Sequence, residues 1–108
     1  MWVTLSYMSE RRAQARKSVD IYFNKFLSGY PYLCRCVDLS AGGALVETYA
    51  EPETDQERFP VELRFPGDKD SLWLWAKRTR VSGTRQAFSF VNLSRAAARR
   101  LERGLMAA

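Results

Sequence analysis

No histidine occurs among the 108 residues of this chain, and only two are cysteine. The first absence removes the commonest general base at neutral pH and the commonest metal ligand. The second leaves too few thiols for a structural zinc site. No pair of carboxylates and no activated serine stands in their place, so the chain reads as a non-enzyme without a metal. Cys34 and Cys36 are separated by one residue in a strand-like stretch, which puts both side chains on one face and would strain a disulfide between them. They are read as reduced, partly buried thiols of a cytoplasmic protein. Long apolar runs are also missing: nothing approaches the roughly 18 residues of a membrane span. The apolar opening from Trp2 to Met8 is short, lacks a basic leader and runs into Glu10-Arg11-Arg12 without a small-residue cleavage site, so secretion is not expected.

Hydrophobic residues make up 46% and aromatics 13%, which supports one folded domain with a modest core. Seventeen lysines and arginines outnumber twelve acids, giving a net charge of +5 carried mostly by arginine. An anionic partner fits this balance, but composition alone does not distinguish nucleic acid, acidic protein and a phosphorylated small molecule.

Period-two alternation dominates the chain. Strands are expected over residues 19–26, 32–37, 44–48, 61–65, 72–81 and 87–91, separated by turn signals at Leu27-Ser28-Gly29-Tyr30, Pro66-Gly67-Asp68 and Ser82-Gly83-Thr84. The acidic stretch from Glu51 to Glu57 is expected as an exposed loop. Six short strands argue for a mainly β fold, an antiparallel β-barrel whose closure removes exposed edges. The period then changes: Ala97, Leu101 and Leu105 share one face and Arg95, Arg99 and Arg103 another, which predicts a C-terminal α-helix. Ser94 is placed to cap its start and Gly104 to help end it. Trp73 and Trp75 share a face of one strand and are read as core. Arg78 and Arg80 are placed on the opposite face.

Two motifs carry the chemistry. Arg12 and Arg16 form R-x-x-x-R, preceded by Arg11, and Asp38, Ser40 and Gly43 form D-x-S-x-x-G, with Gly42 inside it. Arginine's planar fork pairs with phosphate and with guanine O6/N7 and can stack on a base. Aspartate accepts from guanine N–H groups, serine donates or accepts beside it, and glycine lets a ligand approach backbone. Either motif alone is ordinary: two arginines four apart are most often a solvated helix face, and the other is a common polar turn. Their order, and the hairpin between them, resemble the PilZ family of cyclic-di-GMP receptors over nearly the whole chain. The segment from Phe88 to Ser94 and the arginine-rich helix resemble that family's ending.

The resemblance implies a six-stranded PilZ-like barrel over residues 18–108 and a flexible N-terminal segment, residues 1–17, that folds over bound cyclic-di-GMP. It implies ligand contacts from Arg11, Arg12, Arg16, Asp38, Ser40, Gly42 and Gly43. Arginine at position 11 further implies two nucleotides per domain. The expected role is a single-domain cytoplasmic receptor or adaptor that converts ligand binding into a conformational change read by a downstream protein, with no cofactor. The alternative is a PilZ-like adaptor that binds no nucleotide and works by protein contact. A nucleic-acid-binding barrel ranks last, because clustered lysines and a stacking ladder are absent.

Overall fold

The structure is a computed structural model, and it describes residues 17–107. Six strands, β1 (Lys17–Leu27), β2 (Tyr30–Leu39), β3 (Gly43–Thr48), β4 (Arg58–Leu63), β5 (Leu72–Ser82) and β6 (Arg85–Val91), precede one helix, α1 (Arg95–Ala107). All neighbours are antiparallel, and the sheet closes in the order β1-β2-β3-β6-β5-β4. The mainly β barrel with a C-terminal helix is therefore as expected. One strand is displaced: β4 runs over Arg58–Leu63 rather than 61–65, and Phe65 leaves the sheet while staying buried.

Local chemistry explains the elements. Ser28 and Gly29 both have positive φ, 51° and 84°, the two-residue turn whose twist matches a hairpin. Inward positions of the strands are mostly apolar, including Phe23, Cys34, Cys36, Val46, Phe59, Val61, Leu74 and Phe88, with Lys25, Thr48 and Gln86 the buried polar residues among the described ones. Both cysteines are free and fully buried. Phe59 and Phe88 meet edge to face at 4.9 Å, and Phe23 meets Phe88 at 6.3 Å, the offset geometry that aromatic quadrupoles favour.

Helix α1 begins as its sequence indicates, with Ser94 Oγ accepting from the Ala97 N–H at 3.1 Å. Leu101 and Leu105 are buried, which removes enough apolar surface to contribute about 2 kcal/mol each. Arg100 donates to the carbonyls of Asp70 (3.0 Å) and Ser71 (3.2 Å), tying the helix to the β4–β5 loop. Gly104 does not end the helix. It sits within it, and a Cβ there would run into the ring of Phe65. Its role is close approach, not termination.

Two further expectations are corrected. Trp73 and Trp75 are each 54% exposed, because Leu72, Leu74 and Ala76 take the inward positions of β5. Glu51, expected in an exposed loop, turns inward: its Oε1 lies 2.8 Å from the ammonium of Lys25, which is wholly buried. Gln86 Oε1 accepts from the same ammonium at 2.8 Å, and the rings of Phe59 and Phe88 lie 4.7 Å and 5.4 Å from it. A buried charge persists because these partners replace its hydration.

Candidate ligand-binding site

Strand parity decides which D-x-S-x-x-G side chains can meet a ligand. In an unbroken strand Cys36 and Asp38 would point to the same side, and Cys36 is in the core. The register slips by one residue between them: Cys36 pairs with Val46 and Asp38 with Leu45. The bulge at Val37 rotates Asp38 onto the outer wall. A second bulge lies on the other side of the same patch, where Arg78 pairs with Phe88 and Arg80 with Ala87. Arg80 is thereby turned outward and is exposed. It falls on the outer surface, as Trp73 and Trp75 do, and not on the opposite face as the sequence indicated.

These slips align one outer row across five strands: Ser18, Asp38, Leu45, Ala87 and Arg80 are successive register partners from β1 through β2, β3 and β6 to β5. Beside it runs a second row, Gly43, Ser89 and Lys77. A carboxylate and a hydroxyl thus border one side of a low platform of small residues, and two cations border the other. An open groove of about 420 Å³ beside the platform is lined by Leu45, Arg80, Ser82, Arg85 and Ala87.

The turn is closed by its own hydrogen bonds. Ser40 donates its N–H to the Gly43 carbonyl at 2.9 Å, its Oγ accepts from the Gly42 N–H at 3.2 Å, and the Gly42 carbonyl accepts from the Phe90 N–H at 2.9 Å. Gly43 is needed for space, because a Cβ there would strike the backbone carbonyl of Phe88 on the neighbouring strand. Asp38, Ser40, Gly42 and Gly43 are therefore brought together. Arg11, Arg12 and Arg16 lie outside the described residues. The chain that carries them joins the barrel at Lys17, which pairs with Leu39, between Asp38 and Ser40.

Sequence reasoning did not place Leu45, Ala87, Ser89 and Lys77 at this site, since bulges leave no reliable mark in residue type. A larger cleft of about 830 Å³ lies between the β4–β5 loop and α1. It contains no motif residue, and Arg100 on its wall is held by Asp68, Asp70 and Ser71. Among the described residues no cluster of acids or cysteines is arranged to hold a metal ion, and no helix is long and apolar enough to cross a membrane.

Residues 10–107 match the family model described as the PilZ domain. The chain belongs to the PilZ domain family. Solved structures of other PilZ proteins share its fold. The PilZ domain of YcgR from Escherichia coli, solved with c-di-GMP, is 26% identical with a TM-score of 0.68, covering 90% of each chain. A structure of YcgR from Escherichia coli in complex with c-di-GMP is 28% identical with a TM-score of 0.71; the match covers 90% of this chain and 45% of that one. The PilZ domain of CeSA from a cellulose-synthesizing bacterium, at 22% identity and a TM-score of 0.66, shares the fold over 82% of this chain and 92% of its own. No curated protein is significantly similar to the chain.

Proposed function

We propose that this PilZ domain is a cytoplasmic receptor for cyclic-di-GMP, seated on the outer wall of β3 and β6. The observation that carries the reading is the pair of bulges that turns Asp38 and Arg80 outward onto one register row. A bis-guanine, bis-phosphate ligand needs a carboxylate for guanine N–H groups, cations for phosphate and guanine O6/N7, and small residues that let a flat base approach. Asp38 and Ser40 supply the first, Arg80 and Lys77 part of the second, and Gly43, Ala87 and Ser89 the third. Two YcgR structures containing the same nucleotide, at 26% and 28% identity, support the reading.

Arg12 and Arg16 supply the remaining cations in this proposal. Because β1 starts beside Leu39, a short segment reaches from Lys17 over a ligand resting on Asp38 and Ser40. Nucleotide contacts hold residues 10–16 against the barrel, and the resulting surface is what a downstream protein reads. Ligand and partner are then coupled through differential affinity for two states of one segment. Arg11 adds the cation for a second, stacked nucleotide, giving two per domain. No catalytic step is involved.

Isothermal titration calorimetry of the full chain with cyclic-di-GMP tests this. The expected result is saturable binding of two nucleotides per chain, weakened in Arg16→Ala and in Asp38→Ala. Binding of one nucleotide would overturn the stoichiometry, and undiminished binding in both variants would overturn the site.

A further inference from the structure

The barrel's other distinctive surface is centred on the outer side of β1, β4 and β5 and meets this site along β5. In the closed order, β4 and β1 lie across the barrel from β3 and β6. Their outer wall, with adjoining β5, presents Trp73 and Trp75, each 54% exposed, and Leu33 on β2 at 50%. Phe26 stacks obliquely on Trp73 at 5.2 Å, and Pro60 pairs with Trp75. Half-bare tryptophans gathered on one wall are what the centre of a protein interface looks like before its partner arrives.

Charge around the patch narrows the occupant. Arg58 and Lys77 are register partners at one border, and exposed Arg64 stands at another. None of the three makes an ion pair among the described residues. The carboxylate within the patch, Glu62, is already satisfied: it accepts from Ser71 Oγ at 2.8 Å and from Asn24 Nδ2 at 3.4 Å.

We propose that this wall docks a partner protein through a narrow segment combining apolar anchors with acidic side chains. A second copy of this chain would set the same cations against Arg58 and Lys77, which like charges disfavour. Its own stretch from Trp2 to Met8 runs into Arg11 and Arg12 and brings cations too. An anionic bilayer would spread over Glu53, Asp55 and Glu57, which precede Arg58. An acidic segment of limited width meets none of these penalties. The inference does not rest on the nucleotide reading, because the tryptophans, Phe26 and Pro60 lie outside the nucleotide platform, which the patch meets only at Lys77 on β5.

The test is a nuclear magnetic resonance titration of the isotope-labelled full chain with three probes. These are a short peptide alternating leucine or phenylalanine with glutamate, the same peptide with lysine for glutamate, and phosphatidylglycerol vesicles. The acidic peptide is expected to shift the indole N–H signals of Trp73 and Trp75 while leaving the amides of Ser40 and Gly43 in place. Trp73→Ala/Trp75→Ala weakens peptide binding by about tenfold or more, as does Arg58→Glu/Arg64→Glu, and neither changes nucleotide binding. Equal binding of the lysine peptide, tighter binding to vesicles, tryptophan-dependent self-association, or no indole shift at millimolar peptide would each overturn it. A chain that takes the peptide but not the nucleotide supports this surface and contradicts the receptor reading.

Discussion

The ammonium of Lys25 lies 2.8 Å from Glu51 Oε1 inside a barrel filled mostly with apolar side chains. Lys25 comes from near the end of β1 and Glu51 from the loop after β3, so the pair pins that loop to the barrel. Gln86 bonds both partners, donating to Glu51 Oε1 at 3.2 Å and accepting from Lys25 at 2.8 Å.

Breaking such a pair from one side costs more than removing both charges. Glu51→Ala is expected to destabilise the domain by about 3 kcal/mol, since Lys25 stays buried with fewer partners. Lys25→Met/Glu51→Gln removes both charges and keeps an amide to bond Gln86, so it should unfold closer to the wild type. Urea denaturation followed by circular dichroism checks both. A double variant less stable than Glu51→Ala would contradict this account of the pair.

Gly104 allows a prediction whose sign opposes helix propensity. Alanine in place of an interior helical glycine ordinarily gains about 1 kcal/mol. Here the added methyl meets the Phe65 ring, and overpacking of that kind costs about 1–3 kcal/mol. Gly104→Ala should therefore lower the thermal midpoint, and Phe65→Leu in the same chain should recover part of the loss.

Cys34 and Cys36 are both pushed up to about 12 by burial, with the Lys25 ammonium partly opposing the shift at Cys34. The sign follows directly. A thiol raised in the folded state stays protonated there while the unfolded chain ionises from about pH 9, so the stability it contributes is whole below pH 9 and falls as pH rises towards 12. Thiol labelling at pH 8 should be negligible in the native protein and complete in guanidinium. Rapid native labelling of either cysteine would contradict their burial.

The platform supplies a graded set of ligand effects. Asp38→Ala should weaken cyclic-di-GMP by about 1–3 kcal/mol, roughly 5- to 150-fold, as loss of a paired base contact does. Arg80→Ala should weaken it less and flatten its salt dependence, because a partly solvated cation acts mainly through screened charge. Fluorescence anisotropy of a labelled nucleotide at two ionic strengths measures both. Arg80→Ala with an unchanged salt slope would remove Arg80 from the site.

Much of this was legible in residue order because alternation and turn chemistry are local. Six strands, the Ser28-Gly29 turn, the Ser94 cap and the leucine stripe of α1 all follow from near neighbours in sequence. What was missed depends on long range or on parity. Leu72-Trp73-Leu74-Trp75-Ala76 is apolar on both faces, so alternation carries no polar marker to say which face is inward. The bulges at Val37 and Thr79 each insert one residue, enough to reverse every later side chain, and neither residue type announces it. Glu51 reads as loop because its partner Lys25 lies 26 residues away. At the candidate site, Asp38, Ser40, Gly42 and Gly43 are neighbours within one motif, whereas Arg80, Ala87 and Ser89 come beside them only once strand order is known.

The most direct test of the receptor proposal is an amide chemical-shift titration of the full chain with cyclic-di-GMP. The account predicts saturable shifts centred on Ser40, Gly42 and Gly43, extending across Ala87 and Ser89 to Arg80, together with ligand-dependent protection of the amides from Glu10 to Arg16. Shifts that are absent, or that centre on the Trp73 and Trp75 wall instead, would contradict it.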